Sequence, residues 1–329
     1  MRAGAALAVL AAAVLAAAVL AAVAGCGGPA ATRHAAVTRG TAVSGTAAHG
    51  TVVSGTVAHG KAATTCDPYA SSLAPGGPPS VTAGSFAATI RARGYLIAGV
   101  DQSTYHFGFL NPLDNQIEGF DIDMAQAVAR AIFGSAYNPG RVHYKVISDA
   151  SRIPDILNGS VDIVAHTMTI TCQRLRQIDF SSVYYNAQEK LLVLSNSTAK
   201  DLADLAGQKV CATVGSDDIA TIERYHAIPV EVTYWTDCLV DLQQGQVAGI
   251  STDDSILHGL AAQDPFTKIV GPSLQPEPYG LGISREHPDF VRFVNAVLEQ
   301  LRTDGQWRAD YAKWVGTPAQ NPPPPRYAG

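Results

Sequence analysis

From residue 81 onward, the apolar residues occur either in short continuous runs or at helical spacing. The runs at 95–100 and 163–165 predict buried strands. One stretch repeats its apolar positions every three or four residues, which predicts a helix with one buried face: Met124, Ala127, Val128, Ala131 and Ile132. We expect Asp121 or Asp123 to cap this helix rather than to form a catalytic or metal-binding pair. Strands that alternate with helices predict a parallel sheet, with ligands bound at the carboxyl ends of its strands.

The same alternation starts again after an extended apolar segment at 185–195. This second unit is predicted to contain a helix and a strand within 202–211, helices at 219–225 and 238–245, and strands at 230–234 and 247–250. Two more helices, at 290–302 and 305–316, follow it. We therefore predict two lobes, the first beginning with 81–188 and the second formed by 189–281, with the segment 282–318 following the second along the chain. Two extended crossings, near 185–194 and 279–284, would join them as a hinge that a ligand closes.

Length and charge agree with this division and exclude other classes of protein. The chain has 329 residues, which is enough for two domains with cores of their own. A formal net charge of −5, without a basic run, gives no reason to expect a nucleic-acid partner. No Gly-rich phosphate loop and no His-Glu-x-x-His zinc motif is present, so we expect neither a cofactor nor a metal.

The first 25 residues have the composition of an export signal. On length alone, the Ala/Val/Leu run at 7–23 could also be a retained membrane helix. The sequence Val-Ala-Gly-Cys at 23–26 resembles a bacterial lipobox, in which the cysteine is acylated and becomes the mature N-terminus. We therefore expect residues 1–25 to be a lipoprotein signal peptide and Cys26 to carry a lipid anchor. The mature protein would then be held at the cell membrane on its extracytoplasmic face.

Residues 26–80 are predicted to be the lipidated cysteine and a disordered linker, rich in Ala, Gly and Thr. Two copies of a ten-residue repeat, at 41–50 and 51–60, are too few and too poor in large residues to bury a core. His34, His49 and His59 have no spacing typical of a metal site. Residues 319–329 are predicted to be a frayed, Pro-rich tail.

Four further cysteines remain, and an even number in an exported chain indicates disulfides. Cys211 and Cys238 both lie in the later lobe, on or beside predicted strands, so we pair them. Cys66 is then left to bridge to Cys172. Zinc binding is the alternative, but no Cys-x-x-Cys pair supports it.

The most informative stretch is 162–181, where a buried strand leads into a loop rich in threonine and then to Arg174. A helix that begins in this loop would present unpaired N–H groups, and an arginine can bind a carboxylate through two hydrogen bonds. The simpler alternative is a capping Thr171 followed by a surface arginine. The pattern Asp-Ile-Val-Ala-x-Thr-Met-Thr-Ile-Thr-x-x-Arg from Asp162, with Asp-Phe-Ser after it and the pair Tyr184-Tyr185, resembles the signature of family-3 extracellular solute-binding proteins. These are polar amino-acid receptors of ABC importers.

The resemblance implies an α/β, two-lobed type II periplasmic-binding-protein fold (a Venus flytrap), in which each lobe is a mixed sheet flanked by helices. It also implies that the segment at 305–316 is the family's closing helix and returns to the first lobe. Arg174 and Thr169 would bind the ligand's α-carboxylate, while the backbone of Thr167 and the side chain of Asp253 would hold its ammonium. Physics alone supports capping of the helix at 254–257 as a role for Asp253 equally well.

Further positions follow from the same resemblance. Ser216 and Asp217 occupy a loop that usually donates N–H groups to the carboxylate, although Asp217 departs from the commoner pattern. Tyr105 and Phe107, with Phe109, would form an aromatic wall, unless one of them packs in the core. Arg152, in Arg-Ile-Pro, matches the position that contacts the distal carboxylate in glutamate/aspartate receptors, and His166 would be a second polar group or a wall. We therefore expect glutamate or aspartate as ligand, with glutamine or asparagine as the second choice.

Two other functions share this fold. One is a ligand-sensing lipoprotein that signals to a membrane receptor instead of an ABC permease. The other is a periplasmic dehydratase-type enzyme, which needs a general acid in the cleft. Asp253 and Asp101 are the only candidates for that acid, and both are better explained otherwise, so we expect no enzyme.

Overall fold

Two β-sheets, joined by a pair of extended crossings, organise the part of the chain that the structure describes. The computed structural model describes residues 66–328. The predicted signal peptide, Cys26 and the tandem repeat lie outside these residues. In chain order the strands are β1 (Leu96–Val100), β2 (Ser103–Thr104), β3 (Gly108–Leu110), β4 (Ile117–Glu118), β5 (Val142–Val146), β6 (Ile163–Ala165), β7 (Asp179–Phe180), β8 (Tyr185–Leu194), β9 (Lys209–Thr213), β10 (Ile228–Val232), β11 (Gly249–Asp253), β12 (Thr267–Val270), β13 (Pro276–Tyr279) and β14 (Gly282–Ile283).

The helices are α1 (Phe86–Arg93), α2 (Phe120–Phe133), α3 (Arg152–Leu157), α4 (Asp218–Arg224), α5 (Trp235–Gln243), α6 (Asp254–Gln263), α7 (Pro288–Thr303) and α8 (Gln306–Trp314). Among residues 66–328, none of these helices combines the length and hydrophobicity that crossing a lipid bilayer requires.

The first lobe is built on a sheet of order β5-β1-β6-β14-β7. β5, β1 and β6 run parallel, whereas β14 is antiparallel to both of its neighbours. The apolar face predicted for α2 packs in the core of this lobe, where Met124 and Val128 are fully buried. α7 and α8 return to the same core, and the indole N–H of Trp307 donates to the carbonyl of Tyr184 at 2.8 Å.

The second lobe is built on a sheet of order β10-β9-β11-β8-β12. The mixed topology of both sheets agrees with the predicted fold class. β8 connects the lobes because it changes partners along its length. Its residues 185–188 pair with β13, and its residues 189–194 pair with β11 and β12. The two crossings are therefore hydrogen-bonded to each other, and they form a two-stranded hinge.

Both predicted disulfides are present in the structure. Cys66 bridges to Cys172 with a Cα–Cα distance of 5.9 Å, and Cys211 bridges to Cys238 with a Cα–Cα distance of 5.5 Å. The second bridge joins β9 to α5 in the core of the second lobe. The first attaches the start of the described chain to the loop that precedes Arg174.

The boundaries predicted for the linker and the tail were wrong at their ends. Residues 66–80 do not continue as a free linker, because Ser72 donates to the carbonyl of Phe180 at 2.7 Å and Leu73 packs on the first core. The tail is attached as well: Tyr327 forms a β-bridge with Ser72, and Arg326 lies 2.7 Å from Asp67. Small and prolyl residues indicate low helix and strand propensity, and they do not exclude docking onto a neighbouring surface.

Candidate functional site

A single backbone carbonyl of the second lobe lies between two arginines of the first. The carbonyl oxygen of Gly215 accepts from Nη2 of Arg152 at 3.4 Å and from Nη2 of Arg174 at 3.3 Å. Gly215 has a φ of +89°, and a Cβ at this position would lie 2.7 Å from the Cα of Ala150. The absence of a side chain thus allows the loop after β9 to touch the first lobe. The structure is therefore a closed form of the two lobes.

Arg152 is buried and is paired within its own lobe. Its Nη1 lies 2.9 Å from Oδ1 of Asp149 and donates to the carbonyl of His166 at 3.2 Å. Oδ2 of Asp149 accepts from the hydroxyl of Thr213, in the second lobe, at 2.5 Å. Burial opposes ionisation of Asp149, but Arg152 and His166 outweigh it and lower the pKa of the carboxyl. The positive charge of Arg152 is consequently offset by an ionised carboxylate.

His166 lies close to the pair formed by Arg152 and Asp149. Its Nε2 is 3.0 Å from the carbonyl of Ile147, and its Nδ1 is 3.4 Å from Oδ1 of Asp149. The ring is buried, with 2% of its surface exposed. His166 is therefore held by the backbone of Ile147, and its Nδ1 faces Asp149 without forming a hydrogen bond.

Arg174 is held at the opposite side of the same carbonyl. Its Nη1 donates to the carbonyl of Thr169 at 2.7 Å, and its Nη2 lies 3.0 Å from Oδ1 of Asp217. Although burial disfavours the guanidinium ion, Asp217 and Asp149 raise the pKa of Arg174. One donor edge of the Arg174 guanidinium is therefore already paired with a carboxylate of the second lobe.

The helix expected to begin before Arg174 is only a three-residue 3₁₀ turn, Arg174–Arg176. One turn has little dipole, so the charge of the guanidinium, and not a helix terminus, provides the attraction for an anion. The hydroxyl of Thr171 does accept from the N–H of Arg174 at 3.1 Å, as in the simpler capping alternative. Arg174 is nonetheless buried rather than on the surface.

Asp121 positions Thr167, and it does not cap α2 as predicted. The N-cap of α2 is Gly119, and no side chain caps it. Instead, the carboxylate of Asp121 accepts from the N–H of Thr167 at 2.6 Å and from the hydroxyl of Tyr184 at 2.6 Å. Thr167 has a φ of +39°, and this hydrogen bond holds its strained backbone. Asp123 accepts from the indole of Trp314 at 2.6 Å, so it fastens α8 and does not cap α2 either.

Asp253 lies at the carboxyl end of β11 and faces the hinge. Its carboxylate accepts from the hydroxyl of Tyr279, which lies 2.6 Å from the hydroxyl of Ser255. Asp253 occupies the N-cap position of α6, but its side chain makes no capping hydrogen bond. Burial, and then the neighbouring Glu277, raise the pKa of Asp253 well above its ordinary value. A cationic group brought to this carboxyl would therefore be stabilised.

The remaining residues predicted to bind the ligand differ in their burial and in their contacts. The N–H of Ser216 already donates to the carbonyl of Thr213 at 3.1 Å, which argues against the predicted contact with a ligand. Phe107 is 1% exposed and lies edge-on to Tyr185 and Tyr279 of the hinge, and its place in the wall of the cleft stays a prediction. Tyr105 is 38% exposed and lies at the edge between the lobes, where a Cβ on Gly259 would be 2.8 Å from its carbonyl oxygen.

Sequence reasoning missed three groups of this site: Asp149, Tyr279 and the carbonyl of Gly215. Asp149 could have been found, because it follows a predicted strand in the same way as Asp101 and Asp253 do. A backbone carbonyl and a tyrosine in a crossing strand give no comparable signal in the sequence.

Comparison with known sequences places this geometry in a family. The profile of the bacterial extracellular solute-binding proteins, family 3, matches residues 96–317, which include both lobes and the hinge. The chain belongs to this family. The match begins at β1 and ends just after α8, so the family fold includes both lobes and leaves out residues 66–80.

Three curated relatives are 28% to 34% identical to this family-3 protein. The ABC transporter glutamine-binding protein GlnH of Bacillus subtilis is 33% identical over 231 residues, covering 69% of this chain and 84% of the relative. The glutamine-binding protein of Geobacillus stearothermophilus is 34% identical over 206 residues, covering 62% and 78%. The glutamate-binding protein GluB of Corynebacterium efficiens is 28% identical over 242 residues, covering 69% and 81%.

Solved structures agree with the two-lobed fold. An ancestral arginine-binding protein bound to glutamine has a TM-score of 0.63 and 30% identity, covering 68% of this chain and 99% of that one. A mutant of the T. maritima protein ArgBP has the same TM-score and 27% identity, covering 69% and 98%.

Replacing Asp217 should strengthen the binding of any ligand whose carboxylate contacts Arg174. In Asp217→Asn the competing internal carboxylate is lost, and a charged hydrogen bond of this kind is worth about 1.5–3 kcal/mol when buried. Asp217 is partly exposed, so we expect the smaller gain of about fivefold to tenfold in affinity. Calorimetry would measure it, with Glu223→Gln on the outer face of α4 as the matched control. A weaker affinity in Asp217→Asn would show that Asp217 binds the ligand instead of competing with it.

Asp121 should make the free energy of unfolding depend on pH. Burial raises its pKa from 3.8 to about 6, with Tyr184 and Thr167 opposing the shift. Between these values the folded protein holds a proton that the unfolded chain has released, so its stability falls as the pH rises through this window. This pKa difference of about two between the folded and the unfolded chain corresponds to about 3 kcal/mol in the free energy of unfolding. Urea denaturation at pH 4 and pH 7 should show a smaller loss in Asp121→Asn than in the wild type, and equal losses in the two proteins would contradict this assignment.

Proposed function

We propose that this family-3 protein is a membrane-anchored, extracytoplasmic receptor that binds a short polar amino acid by lobe closure and delivers it to an ABC permease. The observation that carries the proposal is the convergence of Arg152 and Arg174 on the carbonyl of Gly215. Contacts from both lobes at one point are what a ligand needs in order to favour the closed form. The family is one of transport solute-binding proteins, so we propose no catalytic activity.

The groups that every α-amino acid shares have matching partners. Arg174 and Thr169 provide the site for the α-carboxylate, with Asp217 as the group to be displaced. Asp253 and the backbone of Thr167 provide the site for the ammonium. The raised pKa of Asp253 supports this role, because an ammonium ion would stabilise the ionised carboxylate.

The proposed site for the ligand's side chain favours glutamate and aspartate less strongly than the sequence indicates. Arg152 still provides a guanidinium for a distal carboxylate, but Asp149 already compensates its charge at 2.9 Å. A distal site that is close to neutral accepts an amide almost as well as an acid. We therefore propose that the acidic amino acids and their amides, asparagine and glutamine, all bind, with a narrow preference for the acids.

The relatives support a ligand of this size and polarity. The two relatives at 33% and 34% identity are glutamine-binding proteins, and GluB, at 28%, is a glutamate-binding protein. The ancestral structure at 30% identity was bound to glutamine. These ligands are proposed for this chain on the additional ground that Arg152 and Asp149 lie together beside Gly215.

The lipid anchor and the delivery of the ligand to a permease are supported by other observations. The lipobox-like sequence before Cys26 supports acylation and a position at the outer face of the cell membrane. An ABC permease is the partner expected for this family, and the receptor would deliver its ligand to it. A sensing lipoprotein would use the same closure, and cross-linking to a permease in membranes would separate the two outputs.

A calorimetric screen of the twenty amino acids tests the proposal directly. We expect glutamate, aspartate, glutamine and asparagine to bind, with acid and amide differing by less than about tenfold, or 1.4 kcal/mol. The melting temperature should rise with the same ligands by mass action. Absence of binding by every amino acid would refute the receptor function. A preference above about a hundredfold for either class would refute the compensated distal site.

Two substitutions should move the acid-to-amide ratio in opposite directions. Arg152→Met removes the cation and should weaken acids selectively, whereas Asp149→Asn removes the compensating anion and should favour acids, each by about tenfold. Arg174→Ala should instead weaken all ligands together, by one to two orders of magnitude. Asp155→Asn is the matched control, because Asp155 on α3 pairs with Lys145 of β5 and not with Arg152. Unchanged ratios in both distal variants would show that Arg152 only holds the lobes together.

A further inference from the structure

Three buried carboxylates meet beside the hinge, outside the groups used above. Glu189 lies in β8 where this strand changes partners, Glu277 lies in β13, and Asp218 is the first residue of α4. Each of them offers an oxygen within 4.8 Å of the others. Glu189 and Glu277 are 0% and 1% exposed, and Asp218 is 3% exposed.

Hydrogen bonds orient the three side chains but leave oxygen atoms unused. Oε1 of Glu189 accepts from Ser251 at 2.8 Å, and Oε1 of Glu277 accepts from Gln275 at 2.7 Å. Oδ2 of Asp218 accepts from Thr252 at 3.2 Å. In contrast, Oε2 of Glu189 and Oε2 of Glu277 are buried without a hydrogen-bond partner. The hydroxyls of Thr221 and Thr169 lie near enough to lower the pKa of Glu189 and of Glu277, but neither reaches hydrogen-bonding geometry at these Oε2 atoms.

No lysine or arginine among residues 66–328 lies within ion-pair distance of the three carboxylates. Of the neighbouring cations, Arg174 is paired with Asp217, and Arg224 acts on Glu189 from beyond ion-pair distance. Asp217 and Asp253 add further negative charge to the surroundings. Burial of an anion without a counter-charge costs several kcal/mol, so the cluster must be compensated either by bound protons or by a cation.

We propose that Glu189, Asp218 and Glu277 bind a divalent cation of the calcium class. The available donors are carboxylate and hydroxyl oxygens, which hard cations prefer, and Ca²⁺ accepts the irregular geometry of groups drawn from three separate segments. The unused Oε2 atoms of Glu189 and Glu277 are free to serve as ligands. A cation here joins the hinge strand β13 to the start of α4, directly after the loop that carries Gly215. The site therefore stabilises the second lobe and the position of the ligand loop.

The test uses the full chain, stripped with EDTA, in the absence of any amino acid. At a hundredfold excess of CaCl₂ over Kd, we expect a rise in melting temperature of about 5 °C. Tb³⁺, bound in place of Ca²⁺, should show luminescence sensitised by nearby tyrosines and displaced by CaCl₂. Both signals should be lost in Glu277→Gln and in Glu189→Gln, which keep the side-chain shape, and retained in the control Asp304→Asn at an exposed position.

Far-UV circular dichroism shows whether each variant is folded, and the use of two variants keeps the test valid if one is not. Absence of both signals with Ca²⁺, Mg²⁺ and Mn²⁺ in the folded wild type would overturn the proposal and leave shared protons as the compensating charge. Signals that persist in both folded glutamine variants would also overturn it. Because no amino acid is present, these outcomes do not depend on the proposed receptor function, which the calorimetric screen tests separately.

Discussion

The antiparallel pairing of β8 with β13 is the constraint on which the arrangement of the lobes depends. Tyr185 pairs with Tyr279 and Gln188 with Pro276, so the two crossings form one short ribbon rather than two independent linkers. The threonine-rich loop is fastened to the same ribbon, because the N–H of Ile170 donates to the carbonyl of Pro278 at 2.8 Å. Bending of the ribbon would separate Arg174 from Gly215 and Asp217 of the second lobe, while the threonine-rich loop stays attached to the ribbon. A hinge of this kind lets closure be decided by contacts made only between the lobes.

Those contacts depend on how buried charges are compensated. Arg152 and Arg174 would repel each other if they were not paired with Asp149 and Asp217. Each pair costs desolvation energy and recovers it only where the geometry is good, so such pairs favour one arrangement more than they add stability. Asp149 and Asp217 differ in one respect that matters for function. Asp149 is enclosed beside His166, whereas Asp217 is partly exposed, which supports the proposal that a ligand carboxylate replaces it.

Local sequence signals predicted the elements better than they predicted the use of individual polar residues. The periodicity of Met124, Val128 and Ile132 identified α2, and the position of two cysteines in one lobe identified the bridge between Cys211 and Cys238. In contrast, Asp121 has the residue type and position of a helix cap, yet it bonds to Thr167 and Tyr184, which are more than forty residues away. The resemblance implied a ligand wall at Phe107, and only tertiary packing showed that its ring lies edge-on to Tyr185 and Tyr279 of the hinge.

The sequence by itself determined the alternation of strands and helices, the two-lobed fold class, the disulfide pairing and the stretch from Asp162 to Ser181 that carries Arg174. The alternation of elements and the pairing of Cys211 with Cys238 follow from short-range periodicity and from residue types along the chain. The fold class and the importance of the stretch with Arg174 follow from its resemblance to the family-3 signature. The tertiary structure alone decided which charges meet: Arg152 with Asp149, Arg174 with Asp217, and Glu189 with Asp218 and Glu277. The strength of an ionic contact depends on distance and on burial, and neither is defined until segments far apart in the chain have folded against each other.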